Sequence, residues 1–300
     1  MALPADNRRG ILAMLASVAA FVTNDMFVRL TAATLPTGEI MILRSIAAVA
    51  LIAAIATATG AIRSAWMLSS PIVLLRGVLE GLIAVMFIAA LPHIPFADIT
   101  AILLAASVIA TGIAAILGFE KVGVRRWSAL LVGSLGVIVM LRPGVSGLTP
   151  YALLALACTI LVAIRDLVTR RLDPAAPTIV VTLGMALSVG VAGALIGTLE
   201  TGWRWPTQQE AAWLGLAGVA VSIGNFMVIE AFRRADIAVV SPFRYTSLVL
   251  ASLYGFVIWR EWPDLWTLAG SALIVGSGLY TIWRERVRAR EAAAAAGCKA

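Results

Sequence analysis

Ten stretches of this 300-residue chain are apolar over roughly 20 residues each. That is the length a helix needs to cross the ~30 Å hydrocarbon core of a bilayer. They run over roughly 10–32, 37–58, 70–91, 96–118, 125–141, 150–172, 176–199, 211–232, 237–258 and 264–283. In hydrocarbon every backbone N–H and C=O must find a partner within the protein, so only helices or a closed barrel can span it. The segments lack the period-2 alternation of barrel strands, so helices are expected. The links between them, such as "TLPT", "LPHIP", "RPGVSGLTP" and "REWPD", carry proline, glycine or charge. Charged residues make up only 13% of the chain, against about 25% in soluble domains. The expected class is an all-α integral membrane protein, and the first apolar stretch is too long for a signal-peptide core.

The net charge of +7 does not point to nucleic acid, because the cations gather at segment ends. Arg8, Arg9, Arg63, Lys121, Arg125, Arg126, Arg170, Arg171, Arg233, Arg234 and the tail arginines fall on one side of a ten-span chain. Only Arg29, Arg142, Arg204 and Arg260 fall at the opposite ends. By the positive-inside rule both termini are cytoplasmic, and a bacterial inner membrane is the expected location. Trp203, Trp205, Trp259, Trp262 and Trp266 gather near the outer face, as an interfacial belt would. The tail "RERVRAREAAAAAGCKA" reads as a basic solvated end near anionic headgroups, so membrane lipids are expected partners. Cys158 and Cys298 imply no disulfide framework, and the single His93 sits in a turn and builds no metal site.

An internal repeat runs along the chain at an offset of 141 residues. Asp25 and Arg29 match Asp166 and Arg170; Pro36-Thr37 matches Pro177-Thr178; Gly77-Val78 matches Gly218-Val219; Glu120 matches Glu261. Each half holds an odd number of spans, so equivalent helices run in opposite directions. The expected architecture is ten transmembrane helices as two inverted five-helix repeats around a central cavity, an arrangement common in alternating-access carriers. The repeats are placed at 1–145 and 146–284, with a basic cytoplasmic tail over 285–300.

"PFADITAI", "GFEKVGVRRWSALLVGSLGVIVMLRPG" and "SPFRYTSLVLASLYGFVIWREWPDLWTLAGSALIVGSGLYTIWRER", with "ILRS" (42–45) and "LLRG" (74–77), resemble the two halves of EamA-type proteins of the drug/metabolite transporter superfamily. The resemblance implies a cavity lined mainly by spans 1, 3, 4, 6, 8 and 9, with spans 5 and 10 peripheral. It also implies a small-molecule solute, an amino acid or similar metabolite.

Charges inside apolar spans are costly and mark candidate sites. Asp25 and Arg44 each lie seven residues from the outer ends of spans 1 and 2, about 10 Å deep; they are expected to pair. Toward the cytoplasm stand Arg76 and Glu80, one helical turn apart, with Arg165, Asp166, Asn225, Glu230 and Arg244. Arg244 is expected about two turns into span 9, after Pro242, and Tyr245, Thr246 and Ser247 offer neutral hydrogen bonds beside it. Ser107 and Thr111 do the same from span 4. The candidate substrate-binding or gating set is therefore Asp25, Arg44, Arg76, Glu80, Asp166, Asn225, Glu230, Arg244 and Tyr245. Gly77-x-x-x-Gly81 and Gly193-x-x-x-Gly197 permit close helix packing.

The chain has no G-x-x-x-x-G-K-[ST] phosphate loop, and neither a metal nor an organic cofactor is implied. With one loop histidine and no H-E-x-x-H or G-x-S-x-G, an enzyme is not expected. The expected function is secondary transport, with amino-acid export as the leading reading. Uptake of a charged metabolite such as S-adenosylmethionine is the alternative.

Overall fold

The computed structural model describes residues 4–116, 124–141, 149–169, 171–172, 175–235 and 240–297. Among them all regular structure is helical. In chain order the α-helices are α1 (Pro4–Ala32), α2 (Thr37–Ala58), α3 (Pro71–Ala90), α4 (Phe96–Leu104), α5 (Ala106–Ile116), α6 (Val124–Leu141), α7 (Pro150–Thr169), α8 (Thr178–Gly197), α9 (Gln208–Arg234), α10 (Thr246–Trp259) and α11 (Leu265–Gly297). Helices α1, α2, α3, α7, α8 and α9 are each long and apolar enough to cross a membrane. Large apolar side chains such as Leu74, Val78, Leu195 and Val249 point outward, as a lipid-facing surface requires. The protein is a multi-pass integral membrane protein.

Helix starts follow local chemistry. Pro36 and Pro177, matched in the repeat, hold the same extended backbone before α2 and α8 (φ −67°, ψ 154° and φ −60°, ψ 129°). The Thr149 hydroxyl accepts the Ala152 amide at 3.1 Å, and the Asp264 carboxylate accepts the Thr267 amide at 2.8 Å. Thr207 and Glu210 form a reciprocal capping box on α9. Each contact satisfies an N–H that the helix itself cannot.

Two expected spans differ from the sequence reading. The stretch 96–118 is divided at Ala105, whose amide bonds back three residues to Ile102 at 3.1 Å rather than four. In the stretch 237–258, Ser241–Tyr245 form a 3₁₀ turn with Pro242 in its first turn. Proline has no N–H to give an α-helical ladder. Arg244 therefore stands in this turn at the foot of α10, not two turns inside an α-helix. Of the two readings open for the tail, a solvated basic helix or a disordered end, the structure has the helix, and α11 continues unbroken to Gly297. At 1.5 Å per residue its 33 residues reach about 50 Å, well beyond the hydrocarbon core.

The bundle is joined chiefly by the helix pairs α1 with α9, α2 with α8, α6 with α11, α3 with α8, α3 with α7 and α2 with α9, and also by α4 with α10. Between lipid-exposed helices burial of apolar surface contributes little, so close backbone approach must supply the attraction. Glycines provide it. A Cβ added to Gly38 would stand 2.7 Å from the Gly193 carbonyl oxygen, and one on Gly193 would stand 2.6 Å from the Met41 Cβ. Gly81 of α3 faces Ala192 of α8, and Gly136 of α6 faces the Gly270 carbonyl of α11. Gly218 of α9 lies directly against the backbone carbonyl of Arg44 on α2. That approach brings the Arg44 side chain to the interior.

Candidate functional site

A cavity of about 320 Å³ opens between the helices, at the lower end of the roughly 300–1,000 Å³ usual for ligand pockets. Most of its wall is apolar, with Val18, Phe21, Ile83, Phe87, Leu103 and Val189 among the lining residues. Its charged lining is Asp25, Arg44, Glu80, Arg165 and Arg244, with Asn24, Asn225, Thr182 and Ser247 as neutral polar groups. Among the described residues α6 and α11 contribute nothing to the lining. Helices α2 and α8 do contribute, through Arg44, Ser45, Thr182 and Met185, although the family resemblance does not place their spans among the main lining helices.

Asp25 and Arg44 share this cavity but are not in direct contact. Asn24 stands between them: its amide nitrogen donates to Asp25 Oδ1 at 2.8 Å, and Arg44 Nη1 donates to Asn24 Oδ1 at 3.3 Å. Among the described residues no cation lies within ion-pair distance of Asp25, and no carboxylate lies within it of Arg44. The expected ion pair is thus replaced by an amide relay. Two residues that differ by one in sequence point the same way from a helix only in part, so the shorter Asn24 side chain intercepts the longer arginine. Arg244 also lines the cavity and has no carboxylate within ion-pair distance among the described residues.

The charges on α3 and α7 behave differently. Arg165 donates from Nε and Nη2 to Asp166 Oδ1 at 3.1 and 2.7 Å, and from Nη1 to Glu80 Oε2 at 3.3 Å. Arg76 Nη1 approaches the same Glu80 oxygen at 4.0 Å, while its Nε donates to Thr169 Oγ1 at 2.9 Å. Thr169 in turn donates to the Arg165 carbonyl oxygen at 2.7 Å. These four ions form a neutral network that ties α3 to α7. Arg76 and Asp166 stand behind the lining, and Glu80 is shared by two guanidiniums. Asn225 reaches the cavity, whereas Glu230 pairs with Arg234 along α9 and Tyr245 turns its ring onto Gly278 of α11. Neither Glu230 nor Tyr245 lines the cavity. The side chains of Ser107 and Thr111, and residues Glu120 and Arg170, lie outside the described set.

The most complete ion pair is one the charge reading passed over. Arg29 and Glu261 form a two-pronged contact at 2.8 and 2.6 Å, with Arg29 only 7% exposed. Glu261 Oε2 also accepts the Phe96 amide at 2.9 Å, and the guanidinium stacks 4.4 Å over the Trp259 ring. This joins α1, the start of α4 and the end of α10. From the sequence Arg29 looks like a loop-end cation. The available signal was the repeat, which marks both Arg29 and Glu261 as matched positions yet does not say that they meet. At the end of the bundle that holds the α1–α2 and α8–α9 links, Glu210 gathers Thr34, Arg204 and Thr207, and Glu200 accepts the Gly38 amide at 2.8 Å.

Residues 149–283 match the EamA-like transporter family. An S-adenosylmethionine uptake transporter of Rickettsia bellii is 27% identical over 167 residues, which cover 56% of this chain and 57% of that protein. The match therefore spans little more than half the length of that relative. The pseudopaline exporter CntI of Pseudomonas aeruginosa is 29% identical over 268 residues, covering 88% of this chain and 92% of that protein. A riboflavin transporter of Rhizobium johnstonii is 31% identical over 176 residues, 58% of this chain and 57% of that one. One solved crystal structure shares the fold with a TM-score of 0.66 over 92% of this chain and 97% of the other, at 22% identity. With the family match over its second half and a relative named as a transporter aligned along 88% of its length, the chain is similar to the EamA-like transporters.

Proposed function

We propose that the protein is a secondary carrier that exports amino acids and metabolites of similar size across the bacterial inner membrane, by alternating access between two inverted repeats at 1–145 and 146–284. One observation carries this reading: a cavity between the helices is lined by a carboxylate, Asp25, and two guanidiniums, Arg44 and Arg244, none of which has an ion of opposite sign within salt-bridge distance among the described residues. A zwitterion needs an acceptor for its ammonium and a donor for its carboxylate, and an arginine fork suits the second. The helix pairing supports the repeat. Exchanging each helix with its counterpart turns the α1–α9 contact into the α7–α3 contact and leaves α2–α8, α4–α10 and α6–α11 unchanged. Outward movement is favoured by the relative named an exporter, which aligns over nearly the whole chain. The Rickettsia relative favours uptake as the second reading.

Purified protein in liposomes, loaded with one amino acid and exposed to a labelled panel, tests the reading. Solute-specific counterflow is the expected result. Ion conductance without counterflow would assign a channel, and absence of movement for every solute would end the proposal.

A further inference from the structure

The ions that line the cavity do not cancel. Arg76, Glu80, Arg165 and Asp166 are held in one network of two cations and two anions. What remains at the cavity wall is one carboxylate and two guanidiniums. Among the described residues, Asp25 is held by the Asn24 amide, Arg44 by a long bond to the same amide, and Arg244 has no carboxylate within ion-pair distance. Asp25 and Arg44 are half-buried and Arg244 is exposed; a charge partly removed from water is costly, and a ligand that brings the opposite sign relieves it. A neutral zwitterion answers Asp25 and one arginine and leaves the other exposed. A solute with two positive groups and one carboxylate sets two cations against a single acceptor.

We infer that the preferred solute is an amino dicarboxylate, a small molecule with two carboxylates and one amine and a net charge of −1. This rests on the carrier reading above and narrows its substrate class. The amine meets Asp25, and the two carboxylates are divided between Arg44 and Arg244. Glu80 takes no ammonium, because both neighbouring arginines already claim it.

Counterflow in liposomes compares four labelled probes of similar size: L-glutamate, its neutral isostere L-glutamine, succinate and cationic L-arginine. Glutamate is expected to exceed glutamine by about tenfold or more, since each lost charge-assisted contact carries at least that factor. Succinate and arginine should both fall below glutamate. Arg244→Gln should collapse the glutamate-to-glutamine ratio toward one, and Arg244→Lys should keep most of it. If Arg244→Gln does not fold, Arg44→Gln serves as the second arm with the same expected collapse. Equal transport of glutamate and glutamine would overturn the charge inference and leave the carrier reading standing. Preference for arginine would do the same. Succinate moving as well as glutamate would remove Asp25 from amine recognition and overturn the class. A ratio unchanged in the arginine variants would remove those residues from recognition. No movement of any probe, with a full amino-acid panel equally inert, would fell the carrier reading itself.

Discussion

Replacing Arg29 with methionine keeps most of the side chain's length and removes its charge. Two bonds to the Glu261 carboxylate are lost, each worth roughly 1.5–3 kcal/mol when charge-assisted. The stacking over Trp259 is lost as well, worth up to about 2 kcal/mol in a desolvated setting. These figures do not simply add, and removal of one member of a buried pair costs about 3–5 kcal/mol in total. Glu261 is 27% exposed and keeps the Phe96 amide, so part of its charge stays solvated and bonded. The lower end, about 3 kcal/mol, is therefore expected. The measurement is denaturant unfolding in detergent micelles. Adding Glu261→Gln should recover part of the loss, because the neutral amide no longer needs a cation and its oxygen can still accept from Phe96. A cost below about 1 kcal/mol for Arg29→Met, the range of exposed pairs, would refute the view that this contact holds α1 to α10. Strict additivity in the double variant would refute direct coupling.

Gly218→Ala should displace α9 from the Arg44 carbonyl, where an added Cβ would stand at 2.6 Å; overpacking of this kind costs about 1–3 kcal/mol, and loss of transport greater than loss of thermal stability is the expected reading. Asn24→Ala should uncouple Asp25 from Arg44, so that Asp25→Asn and Arg44→Gln become additive in that background and remain coupled by about 0.5–3 kcal/mol with Asn24 present. Glu80→Gln leaves Arg165 and Arg76 sharing a neutral amide, and the expected outcome is a lower unfolding midpoint of the folded carrier with its solute preference retained. Thr201→Cys, in a Cys298→Ser background, should react with an impermeant thiol reagent from outside the cell, and Ser64→Cys should not; the reverse pattern would overturn the orientation.

The bundle was readable from the chain because apolar length is a property of composition. Six of the expected spans are long and apolar enough to cross a membrane. What was not readable is geometry that depends on one residue. Ala105 carries no signal for the helix break it makes, since nothing in alanine itself disfavours a helix. Pro242 does carry a signal, but its consequence is a 3₁₀ turn rather than a weakened α-helix. Depth alone matched Asp25 to Arg44, and depth says nothing of azimuth, so the interposed Asn24 was missed. For the same reason the repeat marked Arg29 and Glu261 separately and could not join them. Arg76, Glu80, Arg165 and Asp166 were legible as charges inside apolar spans, and the structure joins these four into a network.

The places where the helices touch and the places where the cavity is charged are different residues. Gly38, Gly81, Gly136 and Gly193 meet backbone or small neighbours, and even Gly218 meets the carbonyl of Arg44 rather than its side chain. A change of side chain at Asp25, Arg44 or Arg244 leaves those seams intact. On the proposed site, mutation trades one cargo for another without having to rediscover how the helices fit. Relatives named for S-adenosylmethionine, pseudopaline and riboflavin align with this one chain. A scaffold whose recognition is separable from its assembly is the kind of inheritance that lets a lineage diversify in that way.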